Sequence, residues 1–372
     1  MLNRRIPLIV AALAFPATVL ASGTAVASVA EFYTGKTGTI IVSSGGGSYT
    51  AIARIVAPYM TKYLPGNPTF IVKNMPGAGH VLATNFMYRQ APKDGTHIAT
   101  VGSAIPLHQV LDGKGVRYDA RKFNWLGTTG ISNQMAIIWH KAGVKTIAEA
   151  RKKEVIVGAT GIGAGSVIFP TILNNLIGTK FKIIIGYTNA NTIDLAMERG
   201  EVESRQSYSY GSFRINHPTW EKEGKVHFLY QVGTSVDEGV PGIPLMTDLA
   251  ENDEQRKILQ LMTAPSVLGR SYLAPPDLPA DRLAALREAF AKSLSDPAFK
   301  AEMDKRGLDL YSASWERVTQ LVNSIIDTPP DIVAKAKAAL EVRGAVKCQD
   351  VMASDPDRCG KKKKKRKKKK KE

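Results

Sequence analysis

Cysteine is nearly missing from this chain. Two occur in 372 residues, Cys348 and Cys359, both close to the carboxyl end, so no disulfide framework can organise the body. They lack CxxC or metal-ligand spacing, which argues against a redox or zinc role. In an oxidising compartment so close a pair is expected to close one small disulfide loop in a peripheral extension. The six histidines, His80, His97, His108, His140, His217 and His227, show no HExxH or other ligand pattern, and no metal site is expected. There is no GxSxG elbow, which counts against an α/β-hydrolase. Beyond residue 27 no stretch reaches about 18 uninterrupted apolar residues, so no membrane-spanning helix is expected in the mature chain.

What the sequence does have begins with a leader. Asn3, Arg4 and Arg5 precede an apolar run from Ile6 to Leu20, and Ala25-Val26-Ala27 offers a cleavage site before Ser28. This reads as a secretory signal peptide over residues 1–27, with no nearby cysteine for a lipid anchor. The remaining body, about 345 residues, is large enough for two domains with proper cores, and the 44% hydrophobic fraction of the whole chain fits a globular protein. The formal charge of +17 is concentrated at the other end, where Lys361 to Lys371 is an unbroken basic run. Setting that run aside leaves a mildly basic body. The run repels itself and cannot fold alone. It reads as a solvated extension before a polyanion tether, because no aromatic residues interleave with its charges.

The organising stretch is Gly38 to Tyr63. Thr39 to Val42 is a short β-branched run suited to a buried strand. Ile52, Ile55, Val56, Tyr59 and Tyr63 recur on one helix face, with Pro58 expected to kink the helix or shorten it to about two turns. Between them Gly45, Gly46 and Gly47 allow a sharp turn and close backbone approach, and Ser48 is expected to cap the helix. Amides at such a helix start favour an anion. The loop lacks GxGxxG and a lysine followed by Ser or Thr, so by itself it fits an anion site or a purely structural turn equally.

A second copy shifts that balance. Val155 to Val157 reads as a strand, Gly158, Gly161, Gly163 and Gly165 punctuate a loop, and Ser166 opens a helix with Ile168, Phe169, Ile172, Leu173, Leu176 and Ile177 on its apolar face and Pro170 in its first turn. Phe181 to Ile185 is a further strand, leading to Gly186-Tyr187-Thr188-Asn189-Ala190 and a helix from Asn191 to Arg199. In the first half, Thr69 to Val72 and His97 to Val101 read as strands around a helix from about His80 to Arg89. Strands alternating with helices imply parallel sheets whose carboxyl-end loops share a crevice, with Ser103 on the same rim as the first loop. Two glycine loops opening helices suggest two domains facing each other across a cleft, an anion held between them. Glu198, Glu201 and Glu203 read as a solvated face. Tyr208 and Tyr210, interleaved with Ser207 and Ser209, read equally as cleft residues or a surface loop.

These segments resemble the substrate-binding receptors of the tripartite tricarboxylate transporter family, the periplasmic Bug proteins. The resemblance covers GGGSYTAIAR, NMPGAG with the APKDGT turn, FNWLG, GATGIGAGS, LAMERGEV, VPGIPLMTDL and, most specifically, GRSYLAPPDLPADRLAALREAFAKSLSDPAF. It implies an α/β, type II periplasmic-binding-protein fold of two doubly wound lobes. Residues 28–133 plus 268–345 are expected in one lobe, 134–267 in the other and 346–372 in an extension. It further implies a carboxylate held by Gly45, Gly46, Gly47 and Ser48 from one lobe and by Thr160, Gly161, Gly163, Gly165 and Ser166 from the other. Tyr49 and Tyr187 would wall the pocket, Asn189 would add a side chain to it, and Ser103 would touch the far end of the ligand. Many members carry an aspartate near Thr50 and a glycine at Asn189. The missing aspartate favours a plain organic acid over an amino acid, and Asn189 is expected to preserve the turn.

The implied activity is capture of a carboxylate-containing organic acid in the periplasm and delivery to an integral membrane permease. The expected protein is a monomer that is not an enzyme, with no cofactor and no specific nucleic acid. A ligand-sensing receptor for a signalling partner is the nearest alternative. An exported enzyme acting on small organic acids would need an acid, base or nucleophile arranged for chemistry, which the sequence does not offer.

Overall fold

The computed structural model describes residues 28–130, 133–161, 164–187, 190–308, 310–344 and 346–347. The leader, both cysteines, the lysine run, Gly163 and Asn189 lie outside the described residues. From Ser28 the chain forms α1 (Val29–Tyr33), β1 (Thr37–Val42), α2 (Ser48–Tyr63), β2 (Thr69–Asn74), α3 (Val81–Arg89), β3 (His97–Thr100), α4 (Ile105–Leu111) and β4 (Asn124–Thr128). It continues through β5 (Gln134–Trp139), α5 (Ile147–Ala150), β6 (Val155–Ala159), α6 (Gly165–Ile177), β7 (Phe181–Ile185), α7 (Ala190–Glu198), β8 (Ser204–Ser209), α8 (Tyr210–Asn216) and β9 (Val226–Val232). The last part holds α9 (Asp253–Leu268), β10 (Ser271–Ala274), α10 (Ala280–Ser295), α11 (Pro297–Lys305), β11 (Ala313–Ser314), α12 (Trp315–Ile326), α13 (Pro330–Ala339) and β12 (Val346–Lys347).

The described strands make two sheets with one layout used twice. The first runs β2-β1-β3-β10-β4-β11 and the second β12-β7-β6-β8-β5-β9. In each, a parallel core is followed by one antiparallel strand that comes from the chain's crossing between sheets: β10 against β3 and β4, and β5 against β8 and β9. The strands β1 and β6 hold equivalent positions, each flanked by parallel neighbours. Their residues are buried on both faces, which is why they read as continuous apolar runs rather than as alternation.

Register fixes where the strand ends point. Thr128 at the end of β4 pairs with Ser271 at the start of β10, beside Thr100 at the end of β3. Gln134 at the start of β5 pairs with Ser209 and Val232, the last residues of β8 and β9. The segment from Thr128 to Gln134 therefore leaves the carboxyl edge of one sheet and enters the carboxyl edge of the other. The return through Gly269 and Arg270 arrives beside it: the Thr128 hydroxyl donates to the Leu268 carbonyl at 2.8 Å, and the Arg270 guanidinium donates to the Gly130 carbonyl at 2.9 Å. The crossings thus run along the carboxyl ends of the strands in both sheets, the side where open α/β sheets usually bind ligands.

Two expectations about helices need correction. Pro58 does not shorten α2, which runs 16 residues through it. Pro58 and Arg54 are both exposed, so the Arg54 carbonyl left without an amide partner faces water. Pro170 lies in the second turn of α6, not the first, and is buried there. The cores are not confined to separate lobes. One buried cluster joins Ile41 and Trp125 of the first sheet to Ala136, Val155 and Leu229 of the second through α6, α9, α12 and α13. Val346 and Lys347, the start of the expected extension, pair with Ile184 and Ile185 as β12.

Candidate functional site

The first glycine loop leaves β1 at Ser43, whose hydroxyl is 2.9 Å from His80 Nδ1. Burial pushes the His80 imidazole pKa down, and the hydrogen bond with Ser43 acts against that fall. Gly45, Gly46 and Gly47 are exposed. Asn74 holds the loop from the side, its amide donating to the Ser44 carbonyl at 2.7 Å and to the Thr50 hydroxyl at 2.6 Å. Gly47, and not Ser48, caps α2. It sits at φ 73°, ψ −158° with no side-chain cap bond, a conformation open almost only to glycine. Ser48 is the first helical residue because the first helical bond runs from the Ala51 amide to the Gly47 carbonyl, at 3.0 Å. The amides of Ser48, Tyr49 and Thr50 are left without intrahelical partners.

The second loop repeats this arrangement. It follows β6, Thr160 and Gly161 are partly exposed, and α6 begins at Gly165 after Ala164, again with no side-chain cap. The Ser166 side chain is turned inward, 6% exposed, and its hydroxyl accepts from the Thr160 amide at 3.4 Å. A Cβ on Gly165 would stand 2.7 Å from Ser207 Oγ, so glycine lets this helix start against β8. The Ser207 hydroxyl in turn donates to Gln134 at the mouth of the crossing segment. Neither α2 nor α6 has an acidic residue in its first turn. The shorter helices α3 and α4 share this lack of cap and acid, whereas α1, α5, α8, α9, α11 and α12 carry side-chain caps and α10 and α13 place an aspartate in the first turn.

Tyr49 connects the first loop to the crossing. Its hydroxyl donates to the Gly269 carbonyl at 3.3 Å, and its ring centroid is 5.9 Å from that of His80. Burial raises the phenol's pKa, and the Arg270 guanidinium and the hydrogen-bonding groups of Ser103 act against that rise. Ser103 and Tyr49 are therefore neighbours, as the shared rim implied. Arg270 was not singled out from the sequence: it precedes a strand in an ordinary-looking turn, and only the fold brings it beside Tyr49.

Three readings change. Tyr187 is 2% exposed within the core cluster of Ile184, Ile193 and Met197, so its ring packs inside the second lobe instead of walling an open pocket. Its hydroxyl has no partner among the described residues. Tyr208 and Tyr210 are likewise core, 2% and 4% exposed, being neither cleft residues nor a surface loop. The Arg205 guanidinium stacks on Tyr208, 3.4 Å from the ring centroid, and pairs with buried Asp194 at 2.7 and 2.9 Å. His217 reaches the same carboxylate at 3.0 Å. Glu203 leaves the expected solvated face to accept from the Ile156 amide at 2.9 Å.

Comparison with known proteins agrees with this architecture. The curated "UPF0065 protein in gbd 5'region" of Cupriavidus necator is 24% identical over 320 residues, covering 83% of this chain and 88% of that protein. A ligand-free TctC solute binding protein from Polaromonas superposes with a TM-score of 0.63 at 17% identity, over 83% of this chain and 99% of that one. A protein of R. palustris solved with adipate gives 0.54 at 16% identity, over 81% and 97%. These likenesses identify the fold as the two-lobe periplasmic-binding-protein type. The profile described as "Tripartite tricarboxylate transporter family receptor" matches residues 52–338. A match over that much of the chain makes this protein a member of the tripartite tricarboxylate transporter receptor family, the solute-binding subunits of such transporters.

Proposed function

We propose that the protein captures a small organic carboxylate in the periplasm, between its two glycine loops, and passes it to the membrane permease of a tripartite tricarboxylate-type transporter. The observation that carries this reading is the pairing of two long helix starts, α2 and α6, which lack both side-chain caps and first-turn acids and open at the carboxyl ends of the strands, along which the crossings run. Their free amides and partial positive charge suit one carboxylate group. Gly45 to Ser48 act from one lobe. Thr160, Gly161, Gly165 and Ser166 act from the other, with Gly163 and Asn189 contributing from outside the described residues.

Ser103 and Arg270, gathered around the Tyr49 hydroxyl, form the far end of the site, where a full positive charge selects a second carboxylate. Adipate in the R. palustris relative fits that two-ended arrangement. Ligand contacts from both lobes favour the closed form, which is the form a permease would recognise. No nucleophile or acid–base pair enters this account, so the protein binds its solute without changing it.

The test is a thermal-shift screen of the exported chain with acetate, succinate, malate, adipate and citrate, followed by calorimetry. A dicarboxylate at about 100 times its Kd adds roughly 2.7 kcal/mol of apparent stability, and acetate should fall well short of it. If no acid raises Tm, or if the effect vanishes when residues 361–372 are removed, the crevice is not the binding site.

A further inference from the structure

A concavity lies on the first lobe, beside the carboxyl end of β2. It holds about 780 Å³ between α3 and the segment running from Lys114 to Arg117. Its floor is apolar, with Met75, Phe86 and Leu82, the last 51% exposed. Its rim is cationic: Arg89, Lys114 and Arg117 are exposed, and no carboxylate lines the groove. Among the described residues these three cations enter no ion pair. The walls are fixed: Asn85 donates to the Gly115 carbonyl at 2.9 Å and accepts from the Arg117 amide at 2.8 Å.

We propose that this groove docks an acidic, leucine-bearing segment of a partner protein. Charge complementarity selects the occupant, since a half-exposed leucine ringed by three unpaired cations matches an apolar anchor flanked by carboxylates. The concave shape suits a polypeptide segment more than a planar bilayer. The chain's own lysine run is repelled by the rim.

The groove also shares its floor with the anion loop. Met75 donates its amide to the Val42 carbonyl at 2.8 Å, Asn74 before it holds Ser44 and Thr50, and His80 after it meets Ser43. A partner seated on Met75 and Ala78 therefore touches the segment that sets the position of the first glycine loop. That the partner is the transporter's membrane component rests on the receptor reading above; the chemistry of the groove does not.

The test uses fluorescence anisotropy of the full chain with a labelled twelve-residue helical peptide of leucine and glutamate, and with its lysine counterpart. Because the lysine run also attracts acids, the measurement is the difference between the parent and the triple variant R89E/K114E/R117E, with Leu82→Asp as a second variant. At physiological salt the parent should bind the glutamate peptide at least tenfold more tightly than either variant, and the lysine peptide should not bind. Thermal melting of each variant establishes that it is folded, independently of any acid binding in the crevice. Equal binding by parent and variants would assign the affinity to the tail and end the proposal. Loss of binding to phosphatidylglycerol vesicles in the variants, with peptide binding unchanged, would make the groove a membrane contact and overturn it as well.

Discussion

Replacing Gly47 with L-alanine and with D-alanine separates the shape of the anion loop from the room around it. At φ 73°, ψ −158° the residue occupies the mirror image of the extended region that L-residues favour. No heavy atom lies within 4 Å of an added Cβ, so the cost of L-alanine is purely conformational, about 1–3 kcal/mol. An exposed loop escapes that cost by turning, and the amides of Ser48 and Tyr49 turn with it. Binding then requires restoring the strained form, which weakens affinity by roughly 5- to 150-fold at 1.4 kcal/mol per tenfold. D-alanine adopts the observed angles without strain and should bind nearly as the parent does. Residue 47 lies about twenty residues from Ser28, within reach of semisynthesis. Calorimetric titration with the best acid from the screen reads the result. If the L and D forms bind alike, the left-handed turn does not aim the amides and the argument for the first loop fails.

Other consequences follow from the same contacts. Asp194→Asn should cost about 3–5 kcal/mol, because it leaves the Arg205 guanidinium, 8% exposed, buried without its countercharge; a denaturant midpoint within 1 kcal/mol of the parent would contradict this. Tyr187→Phe removes a buried hydroxyl that has no partner and should be neutral or stabilising by about 1 kcal/mol, with acid binding retained. A large loss of affinity would return Tyr187 to the pocket. Hydrogen bonds from Lys62, Tyr63 and the Ala298 amide hold the Asp296 carboxyl at about 2, below its ordinary value near 3.9. Its stabilising contribution is therefore complete above about pH 4 and lost as pH falls through about 2. Asp296→Asn should flatten that part of the acid-unfolding curve, measured by circular dichroism.

Much of the architecture was legible because it is written in short-range patterns. The runs at Thr39 to Val42, Val155 to Val157 and Phe181 to Ile185 became buried parallel strands, and each glycine loop opened a helix. What escaped depends on local angles or on distance along the chain. Whether Gly47 or Ser48 caps α2 is decided by one pair of dihedrals, and both residues suit the role. Pro58 survives in α2 because the Arg54 carbonyl it leaves unpaired meets solvent, which periodicity does not record. Tyr187, Tyr208 and Tyr210 sit among serines, asparagine and glycine, so their composition resembles a rim while their rings fill a core. The Tyr49–Gly269 and Arg270–Gly130 contacts join residues 220 and 140 positions apart, beyond any window a single sequence offers.

The far end of α6 is clamped by side chains. Asn175 donates its amide to the carbonyls of Ala339 and Glu341 at 2.9 and 3.0 Å, and Gln255 donates to the Leu176 carbonyl at 2.8 Å. The helix that presents the second loop is thus tethered at its tail to α9 and to the end of α13, within an apolar cluster that spans both sheets. The amino end is held as well, with Gly165 packed against Ser207 of β8 and Ser166 turned inward, so α6 is a beam clamped at both ends and the second loop travels only as far as its own sheet does.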